Sequence, residues 1–305
     1  FEFFIDNVSQ GAPSSINTFT PNGQLNNGAN IKVIGYLGDC EHSSNLSIKV
    51  NPKPQPNIFT NLSEDTLCEG ESITVSSSGG NSYEYFINNT SQAGTSSTLT
   101  TSSLAAGDNA IFSIVTNSFN CSENTDTLDL FVIALPNTNL SSDATNNTIC
   151  SGESVTFTAS SGAENYQFFL NSSSLGLPSS NTTYTNNGLN DQDTVFVIAY
   201  NGKCAKPGND TIITTVNQTP VASLSGTTVY CEGTTQIFTA GTGNEYEFLL
   251  DNVIVAAYSN QNTYDGSSLS AGNYQLKVNV RSNNCLDTET LNLTVPESPT
   301  ISLTG

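Results

Sequence analysis

The chain has 305 residues, of which 7 are basic and 27 acidic, for a net charge of −20. This balance excludes a nucleic-acid backbone as partner, which needs clustered Lys and Arg, and it disfavours adsorption to anionic membranes. The acidic side chains are spread thinly, as suits the solubility and self-repulsion of an extended surface molecule, and no apolar run reaches the ~18 residues of a membrane helix.

In chain order, the first predicted element is the strand FEFFIDN at 1–7, which alternates aromatic and acidic residues and runs into an Asp-Asn turn. It returns as YEYFINN at 83–89, YQFFLNS at 166–172 and YEFLLDN at 246–252, spaced by 82, 83 and 80 residues. A fixed period of this kind marks a repeat array. The predicted segments are the later part of a repeat at 1–51, complete repeats at 52–134, 135–217 and 218–296, and the start of another at 297–305. The final PESPTISLTG matches TPVASLSG, which precedes Cys231.

Each complete repeat opens with a cysteine in a C-x-G-[ET] turn: Cys68 in CEGE, Cys150 in CSGE and Cys231 in CEGT. A period-two strand follows, with Ile73 and Val75, Val155, Phe157 and Ala159, or Phe238 and Ala240 on its apolar face. The aromatic strand then puts Tyr166, Phe168 and Leu170 on one face, as do Tyr83, Tyr85 and Ile87, and Tyr246, Phe248 and Leu250. Phe4, Phe86, Phe169 and Leu249 point the other way, toward an edge loop or a neighbouring domain. After a polar stretch come LNNG, LAAG and LSAG, at 25–28, 104–107 and 269–272, whose glycine suits a turn. LNDQ at 189–192 departs from that motif. The next strand carries its inward residues nine and seven positions before a second cysteine: Ile31 and Val33, Phe112 and Ile114, Val195 and Val197, Leu276 and Val278. A last alternating strand ends in Leu128, Leu130 and Val132 or its counterparts.

About seven short strands in some 80 residues, without helical periodicity, predict an all-β tandem array of immunoglobulin-like sandwiches. The second cysteines are Cys40, Cys121, Cys204 and Cys285, and each complete repeat separates its two by 53 or 54 residues. This spacing predicts one disulfide per domain, Cys68–Cys121, Cys150–Cys204 and Cys231–Cys285, each contributing about 4 kcal/mol by loop closure. By the same register, Cys40 finds its partner outside the sequence, about 14 residues before Phe1. Such pairing implies an oxidising, extracellular compartment. Zinc is disfavoured, because no second Cys or His stands at ligand spacing.

The linkers NPKPQPN, ALPNT, NQTP and VPESP are short and contain proline, which limits bending. A semi-rigid rod of roughly 130–150 Å is expected from strand rise. Small-angle scattering tests it, since a compact radius of about 19 Å would exclude a rod.

No catalytic constellation is present. The chain has one histidine, His42, in a loop position that does not repeat, and it lacks a G-x-S-x-G elbow and a phosphate loop. Asp191 and Asp193 could offer calcium two carboxylates, but only one repeat has the pair. The chain is therefore read as non-enzymatic and without cofactor.

C-x-G-E, the aromatic strand, L-x-A-G and the closing cysteine strand, repeated near 81 residues, resemble the Ig-like or PKD-like repeats of Bacteroidetes surface proteins. LSAGNYQLKVNVRSNNC at 269–285 is most similar to the repeats of SprB-like gliding-motility adhesins, which are exported by type IX secretion. The resemblance implies a cell-surface stalk in a long adhesin or filament, with neighbouring repeats, other filament components or surface glycans as partners. The other function class it leaves is a set of accessory, carbohydrate-binding modules of a secreted enzyme. A full-length product of thousands of repeat residues, or one with a few repeats beside a hydrolase, separates the two. The same lineage O-glycosylates Asp-[Ser/Thr]-aliphatic sequences, which makes Thr66, Thr127, Thr194 and Thr211 candidate acceptors.

Overall fold

The computed structural model describes residues 1–302. Residues 303–305, the end of the expected opening of another repeat, lie outside the described part. Regular structure among the described residues is β, apart from one 3-10 turn at Thr145–Asn147. The chain divides between Ala134 and Leu135 into two compact units.

Segment 135–217 shows the architecture. Strand Val155–Ala159 buries Val155, Phe157 and Ala159 and turns Thr156 and Thr158 outward. It is flanked by Leu140–Ser142 and Thr183–Asn186 in a three-stranded antiparallel sheet. The facing sheet runs in the order Ser173–Ser174, Asn165–Leu170, Thr194–Asn201, Cys204–Ile213. Phe157, Phe168, Val195, Val197 and Ala199 meet between the two layers. Thr148–Cys150 pairs in parallel with Thr215–Asn217, the far end of the last strand. This is an immunoglobulin-type sandwich, and segments 52–134 and 218–296 repeat it around their own cores. Segment 1–51 contributes one four-stranded sheet, whose Leu46 is 62% exposed.

The Asp-Asn and Asn-Asn pairs after the aromatic strand have a structural reason. Both turn residues adopt positive φ in every copy: Asp6 and Asn7, Asn88 and Asn89, Asn171 and Ser172, Asp251 and Asn252. Asx residues tolerate this conformation and favour the tight hairpin. The first of each pair also accepts a hydrogen bond through Oδ1 from the next strand, from the N–H of Asn30, Ala110, Thr194 or Gln275, at 2.8–2.9 Å. Asn171 additionally donates to buried Asp193 at 2.6 Å. Asn171→Ala should therefore cost about 2–3 kcal/mol, from left-handed strain and the loss of the donor to one oxygen of the buried Asp193 carboxylate. Urea unfolding measures it, and a change near zero would deny the turn this role.

Two expectations need correction. The first concerns Phe112 and Ile114, which were expected to face inward. Ile111, Ser113 and Val115 are the fully buried residues, and Phe112 pairs beside Phe86 on the outer face. The turn before Cys121 is one residue longer than the turn before Cys204, and counting back from the cysteine slips by one, which exchanges the faces of a strand. The outward aromatics are also resolved by this pairing. Phe86 stacks on Phe112 and Phe169 on Phe196, with ring centroids 4.9 and 4.8 Å apart.

The second correction is to the disulfides. Cys150 lies beside Asn217, at the far end of the last strand, whereas Cys204 pairs with Asn201 at its start. The strand path from 204 to 217 spans about 40 Å, and a disulfide tolerates a Cα separation of only about 4.4–6.8 Å. Cys68 likewise lies beside Ile133, a strand length from Cys121, and the residue after Cys231 bonds to Pro296, a strand length from Cys285. The two cysteine classes sit at opposite ends of each sandwich, so the expected pairs cannot close within a domain. Cys150 is bonded instead to Cys285 of the following repeat, with a Cα separation of 5.5 Å.

Candidate functional site, a bridged joint

The bridge is built from two small devices. The first is the C-x-G-[ET] turn. Gly70, Gly152 and Gly233 have φ of 79°, 84° and 78°, the left-handed region that favours glycine. The residue after the glycine closes the turn, with the N–H of Glu71, Glu153 and Thr234 donating to the carbonyls of Cys68, Cys150 and Cys231. Glu71 and Glu153 also accept the cysteine N–H through Oε2, at 2.9 and 2.8 Å. At the third turn Thr234 donates its hydroxyl to the Cys231 carbonyl at 2.7 Å. The recurring composition of the motif thus holds the cysteine in one pose at the end of its domain.

The second device is the hairpin that ends in Cys285. Asn283 and Asn284, both at positive φ, reverse the chain, and Ser282 pairs with Cys285. The hairpin tip meets the linker that enters its domain. Asn217 donates through Nδ2 to the Asn283 carbonyl at 3.3 Å and accepts the Ser151 N–H at 2.8 Å. Thr219 donates to the Ser151 carbonyl at 3.2 Å. The Cys285 residue is fully buried. Two covalent tethers, the linker and the bridge, therefore join the same two domains, and together they restrict the swing and rotation that a single linker allows.

The joint between segments 1–51 and 52–134 uses a related contact. Asn117, in the turn before Cys121, donates to the Pro52 carbonyl at 2.8 Å and accepts the Cys121 N–H at 3.1 Å. Lys49 lies over the Phe119 ring at 5.7 Å. Lys53 bonds to the Glu123 carboxylate, which raises its pKa above the ordinary lysine value. Both side chains are more than a third exposed, so the pair adds little to stability.

The other expected residues fall as follows. Cys68 and Cys204 are disulfide-bonded. Cys40, Cys121 and Cys231 are free thiols, so neither Cys68–Cys121 nor Cys231–Cys285 is formed. His42 is exposed on an edge strand. Asp193 accepts from Asn171 and from the Asn190 N–H, and Asp191 accepts the Val216 N–H, so both carboxylates serve the turn around them. Among the described residues no cluster of metal-ligating side chains occurs. Thr127 and Thr211 are exposed, and Thr66 and Thr194 are half-buried.

A break in the linker tests the second tether directly. A chain cut between residues 217 and 222 should run as one species on a non-reducing gel and separate into two on reduction. Separation without reductant would show that the bridge does not hold the halves together.

No protein-family model matches the chain, and no curated protein is similar to it. Several solved structures are. Fibronectin(III)-like modules of Clostridium thermocellum CbhA align over 53% of this chain and 94% of theirs, at 14% identity and a TM-score of 0.31. The N-terminal eight Ig domains of Down Syndrome Cell Adhesion Molecule align over 97% of this chain and 44% of that one, at 12% identity and a TM-score of 0.38. The ICAM-5 D1–D4 ectodomain fragment aligns over 87% and 83%, at 12% identity and a TM-score of 0.42. The likeness is one of tandem β-sandwich modules and extends no further.

Proposed function

We propose that the chain is a structural stalk segment of a long, repetitive cell-surface adhesin or filament, of the kind exported by type IX secretion and used in adhesion and gliding. The observation that carries this reading is the Cys150–Cys285 bridge between consecutive domains. A bridge inside a domain stabilises that domain. A bridge across a joint stiffens the array and carries tension past the domains it encloses, which serves a stalk more than a set of independent ligand-binding modules. Disulfides persist in oxidising, extracellular surroundings. No helix among the described residues is long and apolar enough to cross a membrane.

In this reading Thr66, Thr127, Thr194 and Thr211 carry O-linked glycans in native material. Thr127 and Thr211, the exposed pair, should be the most completely modified. Peptide mass spectrometry on protein from the native organism measures this, and unmodified peptides at all four sites would end the idea.

The stalk itself is tested by immuno-electron microscopy, with antibody to residues 135–302 on intact native cells. Label along surface filaments is expected. Label confined to a secreted polypeptide that also carries hydrolase activity would contradict the stalk and favour an accessory module.

A further inference from the structure

Each half of the bridged joint recurs at a cysteine that the described chain leaves as a thiol. We propose that Cys231 is the turn half of a further bridged joint, whose partner is the hairpin cysteine of another repeat of this type, and that Cys121 is a hairpin half awaiting a C-x-G-[ET] turn.

Two independent features support Cys231. Its turn has the geometry of the bonded one, with Gly233 at φ 78° against 84° for Gly152, and Thr234 N–H on the Cys231 carbonyl at 3.1 Å against 3.0 Å for Glu153 on Cys150. The chain leaving this domain is also laid down as a joint. Glu232 N–H donates to the Pro296 carbonyl at 3.1 Å, as Ser151 N–H does to Asn217 at 2.8 Å. Two residues on, the Ser298 hydroxyl donates to the Glu232 carbonyl at 2.7 Å, as Thr219 does to Ser151 at 3.2 Å. The linker that leads to a bridged domain and the segment that leaves Cys231 thus make the same two bonds. The cysteine of its own repeat, Cys285, is committed to Cys150, and Cys231 is exposed. On the other side, Cys121 sits in a hairpin tip tied to its incoming linker through Asn117 and Pro52. The assignment depends on the joint's geometry and not on what a stalk carries.

The chemistry is thiol–disulfide exchange with a small-molecule disulfide, such as oxidised glutathione, as oxidant. The Cys231 thiolate attacks one sulfur and releases one glutathione thiol. The hairpin cysteine, as thiolate, then attacks the Cys231 sulfur and releases the second. One S–S bond forms and one breaks, and the two protons lost by the cysteines end on the two glutathione thiols.

The test extends the full chain by a second copy of residues 227–305 placed after Gly305, so that Pro299–Gly305 stand where Pro220–Gly226 stand in the preceding repeat. Leu286→Val in the second copy marks its hairpin peptide. After refolding in glutathione buffer, the Cys231 peptide should be linked to the marked peptide, and alkylation of Cys231 should fall at least about tenfold relative to the unextended chain. Replacing the second-copy Cys285 by Ser should restore alkylation. If the unextended chain at high concentration forms disulfide-linked oligomers through Cys231 and Cys40 or Cys121, the partner chemistry holds with a second copy as its source. If Cys231 stays fully alkylated in the extended chain while the Cys150–Cys285 bridge is formed, the proposal is wrong.

Discussion

Pulled between residues 141 and 300, the oxidised chain should be unable to release the loop enclosed by Cys150 and Cys285. The bridge spans a sequence separation of 135 residues, and an extended chain reaches 3.3–3.6 Å per residue, so reduction should lengthen the fully stretched molecule by about 450–490 Å. The expected signature in single-molecule force spectroscopy is the absence of any unfolding step from residues 218–284 before reductant, and their full release after it. Bridges inside each repeat would behave differently. They would lock two loops of about 54 residues, and reduction would then release two separate increments of about 180–190 Å each. The effect is large because the crossing bridge encloses the linker and most of two domains. Tension then passes from Cys150 straight to Cys285, and the chain between them cannot be extended.

The second large effect is on stability. Phe168 and Phe169 are adjacent on the aromatic strand and face opposite ways. Phe168 is buried between the sheets near Tyr184, with ring centroids 6.0 Å apart. Truncation to alanine leaves a cavity lined by Val197 and its neighbours, at a cost of about 3–5 kcal/mol. Phe169 stacks on Phe196 on the outer, half-exposed face, and its truncation should cost about 0.5–1.5 kcal/mol. Chemical denaturation of the two variants measures the difference. Equal costs, or the reverse order, would mean that the inner and outer faces of this strand are misassigned.

The alternation that separates these two phenylalanines is readable without coordinates, because burial in a sheet obeys a two-residue period and the pattern recurs in four copies. The repeat length, the sandwich class and the turns at Asp6, Asn88, Asn171 and Asp251 are legible for the same reason. The inward face of strand Gly107–Thr116 is not, because the turn between this strand and Cys121 varies in length by one residue between repeats. The bridge pattern was not legible from spacing either. The two cysteine classes recur at constant separation within a repeat and also between successive repeats, so regularity alone cannot choose between partners. Strand direction can. The first cysteine stands beside the end of the last strand and the second at that strand's beginning, which puts a domain length between them. The cost of a disulfide at that distance decides against the intradomain pair, and the next domain in the array brings its own hairpin cysteine to the turn.

The most direct test of the crossed joint is a peptide map of the oxidised protein, digested without reductant and with free thiols alkylated beforehand. The account predicts a linked species containing Cys150 and Cys285, with Cys40, Cys121 and Cys231 alkylated. Linked peptides joining Cys150 to Cys204 or Cys231 to Cys285 would contradict it.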